Sequence, residues 1–150
     1  MLDLKALLSK ILGCCYTKGT SGGWIYRKYL DGTLECWYHG STGAYTIGTA
    51  RGSLYSGGNM TYTYPVAFAE LPSVTCGVTL STDGYVVWAQ EKGYTKTDIT
   101  IRIVSSGSIA QNSGYTVHIH AIGTWGGVIE SIKRFFASLC PSQDWGWIMC

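Results

Sequence analysis

The side chains of this 150-residue chain best suited to chemistry are its aromatic rings and histidines rather than its carboxylates. A pyranose has an apolar face that stacks on an aromatic ring, while polar neighbours fix its hydroxyls, so exposed Tyr and Trp are the residues that sugar recognition uses. Turn signals place Tyr38, His39, Tyr45, Tyr55, Tyr62, Tyr85, Trp88 and Tyr94 in or near loops and strand ends. Tyr45 and Tyr94 read as loop residues and rank first as ligand contacts. Tyr38, Tyr85 and Trp88 follow, although Trp37 and Trp88 have the bulk that more often fills a core.

His118-Ile119-His120 puts two imidazoles on one face of a strand, and three such strands around an axis would offer six nitrogens to one metal ion. The expectation is different: His120 serves as a structural hydrogen-bonding residue, His118 faces solvent, and no metal or other cofactor is assigned. Asp83, Glu91 and Asp98 could meet sugar hydroxyls or calcium, but isolated carboxylates near turns are usually just solvated. The chain has no GxSxG elbow, no HExxH and no Gly-rich phosphate loop before a helix, so the expected class is not an enzyme. The remaining enzymatic reading is a glycan depolymerase using a carboxylate pair drawn from Glu35, Glu70, Asp83 and Glu91.

Strands must position these residues. Over residues 24–125 the pattern is all-β, with Trp24 to Leu30 and Thr33 to Tyr38 flanking Asp31-Gly32, the signal for a two-residue type I′ hairpin turn. Further strand runs lie at Arg51 to Tyr55, Met60 to Tyr64, Ser73 to Leu80, Tyr85 to Gln90, Asp98 to Val104 and Tyr115 to Ile122. Ile99, Ile101 and Ile103 alternate with Thr100 and Arg102, as in a strand with one face in a core and one in water. About eight short strands without crossover helices predict an antiparallel β-sandwich.

The flanks differ. Residues 1–23 read as an N-terminal segment in which Leu4, Leu8 and Ile11 form the sticky, oligomerising face of a short helix. A helix this short needs a partner, either the chain's own sheet or sister helices. Residues 13–23 then read as a cap and flexible connection. Residues 126–150 predict a C-terminal amphipathic helix carrying Val128, Ile129, Ile132, Phe135, Phe136 and Leu139 on one stripe.

Composition narrows the class. Only 13% of residues are charged and 46% are hydrophobic, which excludes a disordered polyelectrolyte. The net charge of +2 comes from scattered Lys and Arg, so no nucleic-acid footprint exists. No apolar run reaches the roughly 18 residues of a membrane span, and Asp3 stands where a signal peptide wants cations, so synthesis in the cytoplasm without membrane insertion is expected. Cys36 and Cys76 fall inside strand patterns and read as buried thiols, whereas Cys14, Cys15, Cys140 and Cys150 lie in the flanks, where interchain bridges could form outside a reducing cytosol.

Trp24 to Trp125 resembles a group of phage and prophage tail-fibre tip domains. The resemblance rests on Tyr26-Arg27-Lys28, Asp31-Gly32-Thr33 and Glu35-Cys36-Trp37 in the opening hairpin, and on His120-Ala121-Ile122-Gly123-Thr124-Trp125 at the close. Tyr64-Pro-Val-Ala-Phe68 and Leu71-Pro-Ser-Val74 look like the same group's phenylalanine-proline loop entering a strand. The closing strand is also similar to that of H-type lectins, sugar-binding sandwiches that assemble as trimers. The resemblance implies a homotrimeric virion tip made in the host bacterial cytoplasm, touching host-surface carbohydrate and other virion proteins. The alternative it leaves is a structural capsid-fibre or tail protein with no receptor activity. The last 25 residues depart from the group's pattern, since such domains end soon after the closing Trp.

Overall fold

Period-two alternation of apolar and polar side chains runs through most of the chain, and in a strand that alternation sends successive residues to opposite faces. A computed structural model describes residues 16–81, 84–112 and 114–126, and its regular structure is entirely β. In chain order the strands are β1 Tyr16–Ser21, β2 Trp24–Tyr29, β3 Thr33–Ser41, β4 Tyr45–Arg51, β5 Leu54–Gly57, β6 Met60–Thr63, β7 Ser73–Leu80, β8 Val87–Tyr94, β9 Asp98–Ser105, β10 Ile109–Asn112 and β11 Tyr115–Thr124. They form a five-stranded sheet in the order β1-β2-β3-β11-β7 and a six-stranded sheet in the order β10-β4-β5-β9-β6, with β8 on the other edge of β9. All pairings are antiparallel.

The two sheets close over one core. Trp24, Leu34, Cys36, Val117, Ile119 and Ala121 enter it from the five-stranded sheet, while Ile99 and Ile101 enter from β9 opposite. A second cluster of Ile47, Ile103, Ile109 and Tyr115 fills the other end. The predicted inward set Ile99, Ile101 and Ile103 is buried, each with no exposed surface. Burying side chains of this size stabilises by about 1.5–3 kcal/mol each. The chain's close is tied to its opening hairpin: Trp125 donates its backbone N–H to Gly32 O and its indole Nε1–H to Tyr29 O, both at 2.9 Å.

Several expectations are corrected. Residues 16–21, read as a flexible connection, are strand β1, paired with β2 from Tyr16↔Tyr29 to Ser21↔Trp24. Thr, Tyr and Ser there alternate well enough for an edge strand, and neighbouring Gly masked the signal. The hairpin turn is not type I′, which would need positive φ at both central residues. Only Gly32 has it, at φ 97°, and its N–H donates to Tyr29 O at 3.1 Å, so Leu30 and Asp31 are the central pair of a four-residue turn. The Asp31 carboxylate instead accepts from Thr33 N–H at 2.8 Å. β4 and β10 had no counterpart among the predicted runs.

Gly58-Asn59 separates β5 from β6, which lie end to end along one edge of β9. β5 pairs with its C-terminal end (Ser56↔Val104) and β6 with its N-terminal end (Met60↔Ile101 to Thr63↔Asp98). The helices predicted at both termini, with Leu4, Leu8 and Ile11, and Cys14, Cys15, Cys140 and Cys150, lie outside the described residues.

Candidate functional site

A sandwich hides two faces and leaves two outer ones, and any ligand chemistry must sit on an outer face, a sheet edge or a loop. On the five-stranded sheet, register aligns Ile25, Trp37, His120 and Thr75 in one row across β2, β3, β11 and β7. The next row holds His39, His118 and Gly77. All three histidines of the chain therefore share one face, and His39 is the one that sequence reading did not group with the other two. The depression they line measures about 460 Å³. His39 and His118 pack ring against ring at 4.7 Å, and His120 stacks on Trp37 at 5.4 Å with the planes 7° apart. The Arg27 guanidinium lies over both the Tyr16 ring (5.0 Å) and the Trp37 ring (5.2 Å) and pairs across the ladder with Glu35. The rings cover one another, but Arg27 Nε and His120 Nε2 are buried without a hydrogen-bond partner, so the hydrogen-bonding role expected of His120 is not seen at Nε2. Among the described residues no three or more His, Cys, Asp or Glu side chains are grouped to hold a metal ion.

The outer face of the six-stranded sheet is built differently. Ser56 on β5, Val104 on β9 and Trp88 on β8 form a single cross-strand row. One row to one side, Arg102 faces Gln90; one row to the other, Arg51 at the end of β4 faces Leu54. These seven residues line a pit of about 230 Å³. Ser56 and Val104 are its buried floor, while the Trp88 ring stays 38% exposed at the wall. Arg51 Nε–H donates to Ser56 Oγ at 3.3 Å, and Arg102 Nε–H donates to Gln90 Oε1 at 2.6 Å. Both guanidiniums thus hydrogen-bond neutral side chains, and the pit lining contains no carboxylate. Among the described residues the ion pair is Lys96–Glu70, on a different part of the surface.

The sequence-nominated residues scatter. Tyr45, ranked first as a loop contact, is the first residue of β4. Its ring covers Gly57 so closely that a Cβ there would collide, and its hydroxyl donates to Gly58 O at 2.5 Å. It also accepts from Ile103 N–H at 3.4 Å and meets the buried Tyr115 ring edge-on. Burial raises its pKa. Tyr45 pins the junction between β5 and β6 from the start of β4, half-buried, which corrects its placement in a loop. Tyr38 is likewise packed, between Trp24 at 5.3 Å and Tyr62 at 4.9 Å, beside an opening of about 410 Å³ between the sheet edges. Tyr62 in that stack has its pKa pushed up to about 12 by burial. Tyr85 is exposed but lies across Gly107, and Tyr94 is exposed at the far end of β8. Trp88, suspected of being core, is the nominated aromatic that stands on the outer face beside hydrogen-bonding groups. Arg51, Gln90 and Arg102 were missed, since nothing in their local sequence links positions so far apart. Glu91, next to Gln90, does not join the pit.

The architecture is an antiparallel β-sandwich, and it is shared with solved structures. A structure of the Pseudomonas aeruginosa R1 pyocin fibre, comprising its C-terminal residues, shares the fold at TM-score 0.52 and 22% identity over 82% of this chain. The chain spans about a third of that structure's chain, 32%. An N-truncated R1-type pyocin tail fibre matches at TM-score 0.48 and 19% identity, over 82% of this chain and 97% of that one. No family model and no curated protein matches the sequence.

Proposed function

We propose that this chain is the receptor-contacting β-sandwich of a phage-type tail fibre, binding host-surface carbohydrate by reversible adhesion and without catalysis. The observation that carries the reading is the Trp88 pit, an exposed ring beside a small floor ringed by hydrogen-bonding side chains on the outer face of a rigid sheet. That is the combination a pyranose needs, an apolar face to stack on and polar groups to orient its hydroxyls. The fold shared with a pyocin fibre supports the setting. Such a site has weak intrinsic affinity, so useful attachment needs several copies on one stem acting at high effective concentration. Leu4, Leu8 and Ile11 are the residues we assign to bringing three copies together.

The test is binding of the purified protein to host-surface polysaccharide, with Trp88→Ala beside wild type. Loss of binding at unchanged thermal stability supports the reading; equal binding by the two proteins removes it. Light scattering on the whole chain and on a variant lacking residues 1–15, which leaves β1 intact, tests the stem. A trimer that becomes monomeric on truncation is the expected result.

A second reading draws on the five-stranded sheet, whose outer face exposes Ile25 (42%) and Ile122 (38%) beside Trp37. Exposed apolar residues clustered on one face suit a protein contact. A tight complex with another virion protein and no glycan signal would favour this structural role.

A further inference from the structure

From the Trp88 pit we infer that the preferred ligand is an acidic saccharide, one bearing a carboxylate or phosphate, with Trp88 stacking on the sugar ring and Arg51 and Arg102 meeting its charge. This inference rests on the carbohydrate reading above and adds the chemical class.

Four adjacent strands converge on the pit. β5, β9 and β8 supply the row Ser56, Val104 and Trp88, and the register sets Arg102 and Arg51 one row away on opposite sides of it. The walls therefore carry two permanent positive charges, because a guanidinium does not deprotonate in a protein. Neither charge meets a carboxylate in the lining; each guanidinium spends one N–H on a neutral oxygen, Ser56 Oγ or Gln90 Oε1, through its Nε. That contact orients the planar fork and leaves the terminal nitrogens for an anion. Arg27 on the opposite sheet differs in that its guanidinium lies over the Tyr16 and Trp37 rings.

An unpaired arginine couple beside an exposed indole is poorly matched to a neutral sugar. Two guanidiniums whose nearest partners are neutral recognise an oxyanion, by fork-like hydrogen bonds that are stronger and more directional than those to a hydroxyl. The buried hydroxyl of Ser56 and the apolar Val104 floor limit the depth to a ring substituent rather than a whole sugar. Because both charges lie near the surface, their contribution is screened by salt.

Saturation-transfer NMR and titration of the whole chain with methyl glucuronide, glucose 6-phosphate and methyl glucoside test this. The expected result is roughly tenfold tighter binding of one or both acidic probes than of the neutral one, with that margin shrinking in high salt. Which acidic probe wins distinguishes carboxylate from phosphate. The double variant Arg51→Gln, Arg102→Gln should bind all three at the neutral level, and Trp88→Ala should weaken all three. Equal affinity for charged and neutral probes overturns the inference while leaving the carbohydrate reading standing. Acid preference that survives the double variant also overturns it, since the charge would then be met elsewhere. Host polysaccharide bound by wild type and by Trp88→Ala alike removes both.

Discussion

The two outer faces of this sandwich use similar residues to opposite ends. On the five-stranded sheet Arg27, Trp37 and three histidines cover one another by ring and cation–π contacts at 4.7–5.4 Å. On the six-stranded sheet Trp88, Arg51 and Arg102 lie in separate rows, and the two arginines hydrogen-bond neutral neighbours. Whether an aromatic ring is covered or exposed thus depends on its neighbours and not its type. Rings packed against one another stabilise the fold, and the exposed face of Trp88 is the one we propose meets a ligand.

The contrast can be broken from the largest expected effect downward. On β9, Ile101→Ala removes a fully buried side chain from the shared core and should destabilise by ~2–5 kcal/mol in urea unfolding. Its neighbour Arg102→Gln, on the outer face, should shift stability by less than about 0.5 kcal/mol. Trp37→Ala should come next at about 2 kcal/mol, losing the His120 stack and the Arg27 contact, and should leave ligand binding intact. Trp88→Ala should show the converse, losing ligand with the smaller change in stability. Should Trp37→Ala abolish binding while Trp88→Ala spares it, the roles of the two faces are reversed.

Alkaline pH probes the space between the faces. Burial pushes the Cys36 thiol from 9.0 up to about 12, and raises Tyr45, Tyr62, Cys76 and Tyr115 as well. Each is neutral when protonated and titrates later in the folded chain than in the unfolded one. Their stabilising contribution is therefore complete below the unfolded values and is lost as pH climbs through the folded ones. The urea midpoint should fall between about pH 8 and about pH 11, and less steeply in Cys36→Val. A small effect of opposite sign belongs to Tyr115→Phe. The Tyr115 hydroxyl is buried with no protein partner, so deleting it should leave stability unchanged or raise it by up to about 1 kcal/mol.

Much of the strand content was legible. Ser73–Leu80 appears with the predicted bounds, and the opening hairpin, β9 and β11 lie within a few residues of theirs. These are the segments where β-branched and aromatic residues alternate without interruption. β1, β4 and β10 were not legible, because Gly, Ser and Thr dilute their apolar pattern, and β10 in addition pairs with β4, far along the chain. Tyr45 misled for the same reason: a tyrosine beside Thr42-Gly43-Ala44 looks like a loop tip, yet β4 begins at it and the glycines at 57–58 receive its ring and hydroxyl.

By itself the sequence determined that the chain forms antiparallel strands with Ile99, Ile101 and Ile103 inward, because period-two alternation is a local property that needs no knowledge of partners. The same alternation already sent Arg102 outward. Only the tertiary structure decided what stands beside it. Arg51, Ser56, Trp88 and Arg102 span more than fifty positions, and they meet because β9 pairs with β5 on one edge and β8 on the other. Which strands become neighbours, and in what register, follows from burying the two inner faces against each other, a choice made over the whole chain at once.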